Sequence, residues 1–275
     1  MNRKAIEKSV RASLEEDIRT GDITAQLISP HKFVRATIIS REKAIFCGTP
    51  WFDMVYQQID PEVRIHWNVN EGDFISGGHL LVELAGKARS ILTGERAALN
   101  WLQTLSGTAT LTFYYVEKLK NTKIQLLDTR KTIPGLRYAQ KYAVQCGGGK
   151  NHRMGLYDAY LIKENHIISC GSITKAIQKA RNYYPKKSVE VEIKNLKELR
   201  EALEAKADII MLDNFNSDDI KRAIIINNGK AKLEVSGNIN LRNIHKIAKK
   251  GIDFISVGAI TKHLCAIDLS MQIFL

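Results

Sequence analysis

The second half of the chain repeats one short unit, and that repetition limits the fold more than any other feature. Apolar runs at residues 124–127, 159–162, 189–193, 208–212, 232–235 and 253–257 alternate with amphipathic stretches such as 196–203, 218–226 and 241–248. Strands separated by helical crossovers must lie parallel, because only a long connection can return the chain to the same end of a sheet. Glu192, Asp213, Ser236 and Gly258 stand at or just past strand ends and are spaced by 21, 23 and 22 residues, one strand–helix unit per step. No solenoid consensus accompanies that period. At least six such strands predict an α/β fold built on an incomplete (β/α) barrel, related to the eight-unit barrel but short of it. A flat doubly wound sheet is the competing architecture. No GxGxxG follows the first of these strands, which weakens its dinucleotide-binding version.

The first third reads differently. Ile6, Val10 and Leu14 recur every four residues, as on one face of a helix. Residues 33–39 read as a strand, and Val63, Ile65, Trp67 and Val69 alternate with polar residues as in a half-buried one. A helix is expected over 90–105, closed by Ser106-Gly107, since glycine commonly ends helices. A domain boundary is expected there.

Composition narrows the class. With 275 residues, 44% hydrophobic and 25% charged, the chain suits a globular protein with a sizeable core. No run of about 18 apolar residues predicts a membrane span. The N-terminus lacks the apolar stretch of a secretory signal. Cys47, Cys146, Cys170 and Cys265 form no CxxC pair, which disfavours a zinc site or disulfide framework and fits a cytoplasmic location. The net charge of +12 calls for an anionic partner. Nucleic acid is one class, but aromatic content is 7% and no basic–aromatic surface or known motif appears. Residues 128–166 hold seven Lys/Arg and three acids, set among Gly, His and Asn at strand ends, which points to a pocket for a small polyanion.

Barrels of this kind draw their chemistry from strand C-terminal ends. Those ends carry Asp128-Thr129-Arg130-Lys131, Lys163-Glu164-Asn165-His166, Asp213-Asn214, Ser236-Gly237-Asn238 and Gly258-Ala259. An Asp or Ser there is often only a helix cap. Glu190 and Glu192 are harder to dismiss: alternation puts both on one face of a strand that should be apolar, and buried carboxylates require cations or hydrogen bonds. Glu192, nearer the strand end, is the site candidate. The small residues after the last two strands would let backbone N–H groups approach a phosphate. Cys146-Gly147-Gly148-Gly149-Lys150-Asn151-His152-Arg153 is expected to turn tightly or close on an anion. No Walker A motif occurs, and His152 has no second His or Cys at metal-ligand spacing.

Together these residues resemble the quinolinate phosphoribosyltransferase family, over nearly the whole chain. The resemblance runs through Glu15-Glu16-Asp17, Gly21-Asp22-Ile23-Thr24, residues 94–100 and 105–110, Asp128 to Arg137, residues 147–157, Lys163-Glu164-Asn165-His166, Leu212-Asp213-Asn214 and Ser236-Gly237. It implies an N-terminal α/β sandwich domain of residues 1–107, joined by the tail 264–275, and a barrel domain of residues 108–263. It implies transfer of a phosphoribosyl group from phosphoribosyl pyrophosphate to quinolinate, with decarboxylation, to give nicotinate mononucleotide, pyrophosphate and carbon dioxide, with Mg²⁺ as cofactor. Arg96, Arg130, Lys131, His152, Arg153 and Lys163 would form the cationic substrate site, Arg96 coming from a neighbouring subunit of a homodimer or larger homo-oligomer. Lys131, Lys163, Glu192 and Asp213 would be the catalytic set, the two acids also holding Mg²⁺ through water. Ser236, Gly237, Asn238, Gly258 and Ala259 would cradle the 5′-phosphate. Asn238 stands where many relatives have glycine, and Glu164 where many have aspartate. A phosphoribosyltransferase of the same fold acting on another acidic base, such as nicotinate or the unknown substrate of molybdate-operon paralogues, is the near alternative. Neither nucleic acid nor membrane is an expected partner.

Overall fold

The computed structural model describes residues 2–274. They form two compact units. The first takes in residues up to 113, 133–148 and from 261 onward. Its strands are β1 (Phe33–Ser40), β2 (Ala44–Ile45), β3 (Arg64–Trp67), β4 (Phe74–Ile75), β5 (Leu80–Lys87) and the last strand, Leu269–Phe274. A four-stranded antiparallel sheet runs last strand–β1–β5–β3, and β2 pairs with β4. Alternation along β1 turns Val34, Ala36, Ile38 and Ser40 inward. The helix Arg3–Ile18 buries Ile6, Val10 and Leu14, the stripe its sequence spacing predicts. Trp51 stacks on Trp101 with centroids 5.9 Å apart. Their indole N–H groups donate to Ser9 (3.1 Å) and Ser13 (3.0 Å) on the first helix, so two large aromatics are buried without orphaned donors.

The long helix Ala88–Leu119 corrects the sequence reading, because it runs straight through Ser106-Gly107. Gly107 serves a different purpose there. A Cβ at this position would lie 2.1 Å from the Cys265 carbonyl oxygen, so glycine permits the C-terminal segment to press against the helix.

The second unit, residues 114–132 and 149–260, holds six parallel strands. They are β6 (Gln125–Leu127), β7 (Tyr160–Ile162), β8 (Val189–Ile193), β9 (Ile209–Asp213), β10 (Lys232–Ser236) and β11 (Phe254–Ser256), ordered β6–β11–β10–β9–β8–β7. From β7 to β11 each strand pairs with its successor, and β11 then pairs with β6. Among the described residues β6 and β7 do not pair, so no closed barrel forms. Lys150 instead makes a parallel bridge to Leu127 beside β6. The crossover helices Ile173–Tyr183, Leu196–Glu204 and Ser217–Asn227 start at Ser172, Asn195 and Asn216, whose side chains accept from first-turn N–H groups. Those caps fix where each crossover begins, and hence how far each strand end projects toward the site.

Candidate active site

A cavity of about 460 Å³ opens at the C-terminal ends of the parallel strands. Its walls include Thr129, Arg130 and Lys131 after β6; His152 and Arg153; Lys163 after β7; Glu192 on β8; Asp213 and Asn214 ending β9; and Ser236, Gly237 and Asn238 ending β10. Leu161, Met211 and Ser256 complete the lining. Parallel pairing explains the convergence. The β9–β10 register sets Asp213 opposite Ser236, and the β8–β9 register sets Glu192 opposite Met211. Neighbouring strands therefore deliver their end residues to one rim.

The charges are arranged in opposed pairs. Lys163 Nζ lies 2.5 Å from Glu192 Oε2 across β7 and β8. Arg153 donates through Nη1 to the Ala159 carbonyl at 3.1 Å, while its buried Nε has no hydrogen-bond partner. Burial, and then the nearby positive charge of Arg130, lowers the pKa of Arg153, with Glu190 and Asp158 opposing that shift. Two guanidiniums held close enough to repel are suited to an anion that bridges them, and their planar forks match carboxylate oxygens.

The phosphate-loop candidates behave as one tight turn. Gly237 has φ +98°, and a Cβ there would lie 2.3 Å from Asn214 Oδ1 and 2.9 Å from its backbone nitrogen. Only glycine fits. Asn238 follows at φ 50° and donates from Nδ2 to Asn214 Oδ1 at 3.3 Å. Asparagine is among the few side chains at ease in that left-handed conformation. Gly258 and Ala259 do not line the cavity. Gly258 instead backs Lys131, whose Cδ would be 3.0 Å from a Cβ at that position. Arg96 is exposed on the helix Ala88–Leu119 of the first unit and is not among the cavity's lining residues.

Several residues of the site carry no role in the sequence reading. Asp128 is fully buried; it accepts from Asn151 Nδ2 (2.6 Å) and from the His152 backbone N–H (2.9 Å), pinning the segment that presents Arg153. Glu234 lies buried on β10 beneath the cavity floor. Its signal was present: a carboxylate inside the apolar run 232–235, the same anomaly that marks Glu190 and Glu192. His152, expected among the cations, turns inward, with Nε2 2.9 Å from Glu190 Oε2.

Among the described residues, two side-chain groups have ligand atoms close enough to share a metal ion: Cys47, Glu71 and Cys146 in the first unit, and His152, Glu190 and Glu234 in the second. In the first group Glu71 already accepts from the Gly48 and Thr49 N–H groups, and burial pushes the Cys47 thiol well above its ordinary pKa, away from the thiolate that a metal needs. Glu192 and Asp213 present carboxylate oxygens to the cavity itself, the donor type that Mg²⁺ takes.

Comparison with known proteins agrees with this geometry. The quinolinate phosphoribosyl transferase N-terminal domain matches residues 22–106, and the C-terminal domain matches residues 108–272. A probable nicotinate-nucleotide pyrophosphorylase [carboxylating] of Bacillus subtilis is 40% identical, over 100% of this chain and 96% of that protein. Its Methanocaldococcus jannaschii counterpart is 42% identical, over 97% and 96%. The solved nicotinate-nucleotide pyrophosphorylase of Francisella tularensis superposes with a TM-score of 0.95 at 53% identity, covering 100% of this chain and 98% of that one. With both domains matched in order and relatives aligned end to end, the chain belongs to the quinolinate phosphoribosyltransferase family.

Proposed function

We propose that this protein is the carboxylating nicotinate-nucleotide pyrophosphorylase of NAD biosynthesis, transferring the phosphoribosyl group of phosphoribosyl pyrophosphate to quinolinate with loss of carbon dioxide. The observation that carries the proposal is one cavity in which Arg130, Lys131, Arg153 and Lys163 face Glu192, Asp213 and the Ser236-Gly237-Asn238 turn. Both substrates are polyanions, and a basic concave site raises their encounter rate as well as their affinity.

Arg130, Arg153 and Lys163 would hold the two quinolinate carboxylates, which fixes the ring nitrogen toward C1 of the ribose. Lys131 and the Ser236–Asn238 turn would hold the phosphates of the second substrate. The nitrogen attacks C1 as the C1–O bond to pyrophosphate breaks, and positive charge develops on the sugar. Glu192 and Asp213 stabilise that charge and orient the ribose hydroxyls. The resulting pyridinium draws in the electron pair of the C–C bond to the adjacent carboxylate. Carbon dioxide leaves, and the ring carbon takes a proton. No covalent nucleophile is required. Glu192 and Asp213 fit Mg²⁺ held through water; when bound it would neutralise charge on pyrophosphate.

We infer a homodimer with a shared site: Arg96 is exposed and does not line the cavity of its own chain, which suits donation to a partner. Mixing Arg96→Ala with Asp213→Ala chains should restore activity to about a quarter of wild type, since half of randomly mixed dimers carry one intact site of two. No restoration despite proven subunit exchange would refute sharing. The four cysteines are all free, as suits a cytoplasmic protein. The deciding test is incubation with quinolinate, phosphoribosyl pyrophosphate and Mg²⁺, with mass detection of the mononucleotide. One carbon dioxide per mononucleotide is expected. Mononucleotide formed from nicotinate but not from quinolinate would refute the assignment.

A further inference from the structure

Beneath the cavity floor lies a polar cluster for which the reaction has no direct use. Glu190 and Glu234 project inward from β8 and β10, 4% and 0% exposed. Glu190 Oε1 and both Glu234 carboxyl oxygens are buried, with the buried Ser256 hydroxyl beside Glu234. Between them and the cavity sits His152, its Nε2 2.9 Å from Glu190 Oε2 and 3.7 Å from Glu234 Oε2. The other face of the ring is committed too: Nδ1 accepts the Arg153 backbone N–H at 2.7 Å. With Nδ1 accepting, the ring carries its proton on Nε2 and gives it to Glu190. His152 is therefore a strut from the buried carboxylates to the backbone of Arg153.

We propose that Glu190 and Glu234 are positioning residues which, acting through His152, hold Arg153 in the orientation that receives the carboxylates of quinolinate. Three observations converge on this. Burying two carboxylates side by side is costly, so a fold that keeps them needs a return beyond stability. Burial and the neighbouring Glu190 push Glu234 up to about 8, so near neutral pH Glu234 holds its proton. Glu190 also acts on Arg153 electrostatically, opposing the repulsion from Arg130. Glu190 thus orients the imidazole and offsets the crowded guanidiniums, while Glu234 completes the cluster. Asp128 pins the same segment from the other side through the His152 N–H.

The inference rests on the proposed use of quinolinate, and its test separates the two. In the full-length enzyme, Glu190→Leu should raise the KM for quinolinate about tenfold or more, because an ångström of misplacement costs up to about 10²-fold. Its kcat and its KM for phosphoribosyl pyrophosphate should stay within about threefold of wild type. Adding His152→Ala to Glu190→Leu should cost no more than His152→Ala alone, since the two form one strut. Glu234→Gln, a neutral isostere of the protonated acid, should keep the quinolinate KM within about threefold, whereas Glu234→Leu should raise it. Should a leucine variant fail to fold, Glu190→Gln serves the same cycle. Independently of turnover, nitrogen NMR of the His152 ring should show protonated Nε2 and unprotonated Nδ1 near pH 7, and Glu190→Leu should disturb that signal. Additive penalties in the cycle, an unchanged ring signal in Glu190→Leu, or a stoichiometric metal bound by the purified protein at this cluster would overturn the proposal. A wild-type enzyme with the expected ring signal but no quinolinate turnover would overturn the assigned reaction instead.

Discussion

The two ends of the parallel sheet are both basic and both concave, yet only one is equipped for chemistry. At the N-terminal ends lies an open basin of about 1350 Å³, larger than the cavity at the C-terminal ends and lined by Lys123, Lys206, Lys230, Lys232, Lys249 and Lys250. Its acids are occupied by the backbone: Asp208 accepts the Val189 N–H at 2.7 Å and pairs with Arg181, and Asp253 accepts the Leu233 N–H at 2.9 Å. Lys232 rests over the Phe254 ring. At the C-terminal ends the cations meet carboxylates that face the same cavity, and glycine closes the turn. Volume and net charge therefore do not locate the site. Opposed charges fixed on adjacent strand ends do.

The largest expected effect tests that asymmetry directly. Arg130→Ala should lower kcat/KM for quinolinate about a thousandfold, the scale of losing a buried charge-assisted contact. A Lys230→Ala/Lys250→Ala double variant should stay within about twofold, as expected of exposed lysines. Steady-state kinetics on both proteins would break the comparison if the order were reversed.

Gly237→Ala comes next. The added Cβ has no room beside Asn214, and the backbone is left-handed, so the turn must distort. The KM for phosphoribosyl pyrophosphate should rise about ten- to a hundredfold, with the quinolinate KM less affected. Substrate titrations of the variant decide it.

Asp208→Ala should do the opposite. It removes an acceptor from a strand N–H at the inert end, costing about 1–2 kcal/mol of stability in denaturant unfolding while leaving kcat near wild type. A large loss of turnover without a stability change would show that the basin takes part in catalysis.

The smallest effect is a pH slope. Glu234 has its folded pKa raised from 4.5 to about 8, so the fold favours its neutral form. The stability this contributes is complete below about pH 4.5 and is lost as pH rises through about 8. The stability difference between wild type and Glu234→Gln should therefore shift against wild type across that window. A difference independent of pH would mean that Glu234 is ionised throughout.

Much of this contrast is legible along the chain. The repeating strand–helix unit yields six parallel strands, and reading their ends finds Arg130, Lys131, Lys163, Glu192, Asp213 and Ser236-Gly237-Asn238, all of which line the cavity. What stays hidden depends on partners distant in sequence. Asp128 reads as one more strand-end acid until the segment after Gly149 returns beside β6 and places Asn151 and His152 against it. His152 reads as a cation, because nothing local reveals that Glu190 lies below it or that its Nδ1 is taken by the next residue's N–H. Gly107 reads as a helix stop, since its real constraint, the Cys265 carbonyl, comes from more than a hundred residues away. Periodicity reports which face is buried; it does not report what is buried against it.

Where the dicarboxylate binds decides which end of the parallel sheet is the active one. A crystal structure of the protein with quinolinate should place the ligand in the 460 Å³ cavity, its carboxylates against Arg130, Arg153 and Lys163. Quinolinate lodged among the lysines of the N-terminal basin, with that cavity empty, would contradict it.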